Sequence, residues 1–134
     1  MEEMRNLVEN YQTHINQLDR LHKKLIRLLD YNVSVTAAYG HNTGSSKGTV
    51  SRKVERYALK IVALEEKINK LENKVYIVNM AERVLNRKEK EVIDLVKQHR
   101  DKLTRIAEIL DKDKDYVKHK RDTAIKKMSE YVGR

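Results

Sequence analysis

From Met4 to Leu29 apolar residues return at Met4, Leu7, Tyr11, Leu18, Leu21, Leu25 and Leu28, a seven-residue rhythm that His14 interrupts at one inward position. This spacing lays one stripe along a long helix, and His14 reads as a register-setting polar residue in that seam. A second stripe, Val54, Tyr57, Ile61, Leu64, Ile68, Leu71, Val75 and Val78, predicts another long helix. Its β-branched positions Val54, Ile61, Ile68 and Val75 pair with Leu64 and Leu71, a combination that favours two strands in parallel coiled coils. The same stripe fits an antiparallel hairpin within one chain, and two hairpins can assemble as four helices. Val54, Ile61, Leu64, Ile68, Leu71 and Val75 are the expected oligomer seam, in a dimer or a tetramer, with Tyr57 and Tyr76 as further seam residues. Between the stripes "NVSVTAAYGHNTGSSKGT", 32–49, holds three of the four glycines and reads as the connection. Its plainest role is a flexible link, although Lys47, Arg52 and Lys53 offer phosphate or polymerase contacts.

The pattern shortens beyond residue 82. Asn86 followed by Glu89 makes a capping pair for a helix that buries Val92, Ile93, Leu95 and Val96 and ends near His99. Asp101 is placed to cap a short helix with the stripe Leu103, Ile106, Ala107 and Leu110. "DKDKD" breaks that stripe, and Asp113 is placed to cap a last helix with Val117, Ala124, Ile125 and Met128 inward. The expected fold class is all-α: a hairpin or coiled-coil oligomerisation region over 1–82, then a three-helix head over 83–134.

Composition narrows the chemistry. Of the 134 residues 40% are apolar and 37% charged, with no Phe or Trp, so a large core is hard to build and some apolar surface is expected between chains. No Cys is present, which removes disulfides and zinc fingers. The five His are scattered, no Ser-His-Asp order has supporting glycines, and "TGSSKGT" lacks the spacing of a Walker loop. The chain is expected to be no enzyme and to use no cofactor or metal. "MEEMRNLVEN" has no apolar signal region and no run approaches the roughly 20 apolar residues of a bilayer span, so a cytoplasmic location without membrane contact is expected. A net charge of +9 and a pI near 9.7 favour an anionic partner, of which a nucleic-acid backbone is the commonest. Residues 83–134 carry 16 Lys and Arg against 10 Asp and Glu.

"VLNRKEKEVIDLV" followed by "IAEILDKDKDYVKHKRDTAIKKM" resembles region four of bacterial sigma factors and related helix-turn-helix heads. The order of a heptad-rich front, "TGSSKGTVSRKVERYALKIVALEEKINKL" and this head resembles phage late-gene regulators of the RinA and ArpU type. Three positions depart from the pattern: Asp111 stands where many such turns carry Gly, Lys112 where they bury an apolar residue, and Arg121 where related heads carry Leu. The resemblance implies a sequence-specific double-stranded DNA-binding transcription regulator, a late-gene activator in a bacterial host's cytoplasm, with bacterial RNA polymerase as a candidate partner.

Such a head inserts its last helix into the major groove, where base edges present distinct donors and acceptors. The outward residues Lys114, Asp115, Lys118, His119 and Asp122 are then the candidate base readers, with Lys118 suited to guanine and Asp115 to cytosine. Lys102, Arg105, Lys120, Arg121, Lys126 and Lys127 are the candidate phosphate contacts. The competing readings are a small terminase subunit for DNA packaging, and a coiled-coil structural or adaptor protein with a solvated basic face.

Overall fold

The computed structural model describes residues 2–39, 47–100 and 102–133, with side chains described except at 32–39 and 47–51. Among the described residues the chain is all-helical, without strands: α1 (Glu2–Glu9), α2 (Tyr11–Tyr39), α3 (Lys47–Ala81), α4 (Arg87–His99), α5 (Leu103–Leu110) and α6 (Lys114–Val132), with a 3-10 turn at Glu82–Val84. No helix among the described residues is long and apolar enough to cross a membrane.

The first stripe is not one unbroken helix. It divides at Asn10, where the Asn6 carbonyl accepts from both the Asn10 N–H at 3.0 Å and the Asn10 side-chain amide at 2.9 Å, and the His14 N–H still reaches the Asn10 carbonyl at 2.9 Å across the division. The connection is also shorter than the glycines suggest: helix continues through Tyr39 and resumes at Lys47, so only 40–46 of the expected 32–49 link lie outside the described residues. Val33, Val35, Thr36, Ala37 and Ala38 include no Gly or Pro, and helix runs on through Tyr39. Arg52 and Lys53 are exposed positions on α3.

The chain divides into two compact units, one of residues 1–16 with 72–134 and the other of residues 17–71. In the first, α4, α5 and α6 pack on one another, and α1 packs on α4 and α6. Its core joins Met4 and Val8 to Val78, Ala81 and Leu85, and to Val92, Ile93, Val96, Ile106, Val117, Ala124, Ile125 and Met128. A division at 82/83 therefore falls inside a packed core. Met4 continues the heptad rhythm in sequence, but it and Val8 are spent on α4 and α6 rather than on a seam. Lys97 fastens the same region: its ammonium pairs with Glu82 and lies 4.1 Å from the centre of the Tyr11 ring. The Tyr11 hydroxyl in turn donates to Asn79 Oδ1 at 2.8 Å. His14 is half-buried, and burial with the nearby Lys74 ammonium holds its imidazole below the ordinary histidine range.

In the second unit Leu18, Ile61, Leu64 and Ile68 are buried, and the rings of Tyr31 and Tyr57 meet at 4.8 Å. A position late in α2 thus touches one early in α3. The predicted stripe is covered within a single chain at Ile61, Leu64 and Ile68, while Val54, Leu71 and Val75 are half-buried. Ile61, Leu64 and Ile68, enclosed by their own chain, have little area left for a partner, which fits the intrachain hairpin among the expected arrangements. Tyr76 is 61% exposed, about a quarter turn round α3 from Ile68 and Val75 by helical angle, and is no seam residue.

Candidate nucleic-acid interface

Each helix of the α4–α6 cluster starts and stops for a local reason. Asn86 Oδ1 accepts from the Glu89 N–H at 2.9 Å and Glu89 Oε1 accepts from the Asn86 N–H at 3.0 Å, a reciprocal cap at the start of α4. Glu89 is buried and also takes the Lys127 ammonium of α6 at 2.9 Å. Burial alone pushes its carboxyl up, but the Asn86 N–H and the Lys127 and Lys120 charges outweigh this and hold it below the usual range. The cap is thereby also a tie between α4 and α6.

Between α5 and α6 the chain reverses at Asp111, whose φ of 53° is left-handed. The Lys112 N–H reaches back to the Ala107 carbonyl at 3.1 Å and the Asp111 N–H to Glu108 at 3.3 Å, closing α5 in the manner of a Schellman turn. The geometry is the one glycine usually serves, and an aspartate tolerates it better than most residues. Lys112 leaves its expected apolar place vacant by staying exposed, with its ammonium 5.6 Å from the Tyr116 ring centre. Asp113 occupies the capping position of α6 but makes no side-chain cap bond, and α5 is preceded by Lys102, Asp101 lying outside the described residues.

The buried stripe of α6 is Val117, Arg121, Ala124, Ile125 and Met128. With 100° per residue this leaves Asp115, His119 and Lys126 facing directly away from the core and Lys118 on its flank, all exposed; Lys114, the first residue of the helix, falls on the inward side by angle but is exposed as well. Lys114 meets Lys102, Thr104, Arg105 and Glu108 of α5 around one open hollow, so two expected phosphate contacts and one expected base reader share a surface. Glu108 is the carboxylate there, and Arg105 lies 3.5 Å from it. The turn itself is mixed in charge, with Asp111 and Asp113 beside Lys112 and Lys114.

Three assignments change. Arg121 is 3% exposed, and its guanidinium holds the Asp122 carboxylate at 2.8 Å. It sits one turn after Val117 on the inward stripe, enclosed by the core and away from the surface where a phosphate would lie. Asp122 is half-buried, bound to Arg121, and opens toward Glu2, Arg5, Asn6 and Glu9 of α1, which removes it from the reading face. Lys127 is engaged by Glu89 and serves the tie first. Lys120 is half-buried beside Tyr116, 5.9 Å from its ring centre, and Lys126 is exposed.

Sequence reasoning passed over Tyr116 and Thr104. Tyr116 is half-buried between Lys112 and Lys120, a spacing of four and four that the sequence itself displays. Among the described residues no group of three His, Cys, Asp or Glu side chains could hold a metal ion. A scan of protein-family descriptions finds no match to this chain, and searches of curated proteins and of solved structures likewise find none.

Proposed function

We propose that this protein is a sequence-specific double-stranded DNA-binding transcription regulator. In this reading α5 and α6 form a helix-turn-helix, α4 braces it, and the paired stretches of α2 and α3 form the hairpin that the heptads suggest. The observation that carries the reading is the shared hollow of Lys102, Arg105 and Lys114, because a major-groove helix needs phosphate holders beside its leading end. Asp115, Lys118 and His119 extend that surface along the exposed side of α6 as base readers. The resemblance to phage late-gene regulators adds activation, with bacterial RNA polymerase as the partner. The test is enrichment of bound sequences from a random duplex library near physiological salt, where nonspecific phosphate binding is weakened. One enriched motif is expected for the native chain and none for Lys118→Glu; retention without enrichment would instead favour DNA packaging.

Assembly from two or four chains is part of the same reading. Its contact is placed on Leu59 and Val62, which are 70% and 52% exposed on α3 and point away from the self-covered stripe. The double variant Leu59→Glu, Val62→Glu should fall to the mass of one chain in sedimentation while keeping its helical content. An unchanged mass would remove this contact.

A further inference from the structure

We infer that a cleft at the corner between α4 and α5 binds a second phosphate of the duplex backbone, outside the surface that reads bases. The inference rests on the DNA-binding reading and adds a site to it. Residues of α2, among them Thr13 and Asn16, face Lys97, His99, Arg100 and Lys102 across this cleft. Among the described residues its lining contains no carboxylate, unlike the hollow at the α5–α6 turn with Glu108, Asp111 and Asp113, or the one with Glu2, Glu9 and Asp122. A cleft of one sign of charge concentrates anions.

The cations have distinct parts. Arg100 Nη2 donates to Thr13 Oγ1 at 2.6 Å, which fixes the planar guanidinium before any ligand arrives. The backbone at Arg100 is left-handed, with φ at 49°, so the side chain leaves the end of α4 in a direction that continued helix would not give it. Lys97 is committed to Glu82 and Tyr11, and that ion pair leaves Arg100 and Lys102 as the cations of the cleft. Lys102 lines both this cleft and the hollow with Arg105 and Lys114. A strand seated on that hollow therefore meets Lys102 and then Arg100, and the occupant that fits two cations in succession is a polyanion's next phosphate rather than an isolated base or an acidic side chain.

The test measures binding of the full chain to a mixed-sequence duplex of ~30 base pairs as salt is raised, where each neutralised phosphate adds about 0.9 to the slope of log affinity against log salt. Arg100→Asn removes the guanidinium while asparagine tolerates the left-handed backbone, and Arg100→Gly gives the same readout should the asparagine variant melt early. Thr13→Val removes the positioning bond and keeps the charge. Both Arg100 variants are expected to lower the slope by about 0.9, and Thr13→Val to weaken binding with the slope unchanged. An Arg100 variant with the native slope overturns the cleft while leaving the DNA reading intact. A native chain with no salt-dependent duplex binding overturns both. Arg100 and His99 resonances that move with inorganic phosphate alone, together with an unchanged slope in Arg100→Asn, would make the cleft a site for free anion and overturn its assignment to the backbone.

Discussion

Arg121 is the residue whose meaning changes most between chain and fold. A guanidinium in a basic segment invites assignment to phosphate, yet here it is enclosed with Val117, Ala124 and Met128 and turned to Asp122. Burying a charge with its partner is seldom more stable than a well-packed aliphatic side chain. Arg121→Leu is therefore expected to melt at or above the native temperature and to leave the salt slope of duplex binding unchanged. A slope reduced by about 0.9 would return Arg121 to the phosphate set. The sequence held the clue in two forms, the spacing of four from Val117 and the Leu that the heads it resembles carry at this place. Residue type outweighed both, because charge is legible without a fold and inward direction is not. Asp122 follows from the same misplacement, since its half-buried position depends on Arg121 and on α1.

At the scale of the element, the start of α4 was the most legible part of the chain. Asn86 and Glu89 stand three apart before an apolar run, and the reciprocal cap needs only those two residues and their own backbone. What spacing could not reveal is Lys127, 38 positions later, which takes the same carboxylate. Glu89's folded carboxyl titrates below its ordinary value, so its contribution to stability is complete above the unfolded value near ~4.3 and is lost as pH falls through the lower folded one. The melting temperature of the native chain should drop across that acidic interval. Glu89→Gln should flatten this drop and cost about 1–3 kcal/mol at neutral pH, where Lys127 and the cap lose a charged partner. A native pH profile in the variant would mean that other carboxylates govern acid unfolding. The helix reversals at Arg100 and Asp111 were hidden for another reason: neither is glycine, so left-handed backbone had no marker in the sequence.

Across the whole molecule, all-helical character followed from periodicity, whereas the grouping of helices did not. Heptads continue smoothly from Met4 into α2, and nothing in that rhythm tells that Met4 and Val8 join α4 and α6 while Leu18 belongs to a different compact unit. The fragment 83–134 accordingly lacks Met4, Val8, Val78 and Ala81 from its core. Each large side chain of this kind is worth about 1.5–3 kcal/mol when buried, against a typical total of about 5–15. Expressed alone, the fragment is expected to lose the cooperative thermal transition of the full chain, as followed by circular dichroism. A sharp transition at the native temperature would restore an independent head at 83–134.

The docking of α1 on α4 and α6 also orders events in time. On a ribosome adding about 5–20 residues each second, Met4 and Val8 emerge several seconds before Val117 and Met128 exist to receive them. The opening segment must wait, with its apolar side uncovered, for the end of α6. Contacts so distant along the chain slow folding relative to an ordinary helical bundle, and a nascent chain stalled before residue 114 would present an amphipathic helix without its final partner.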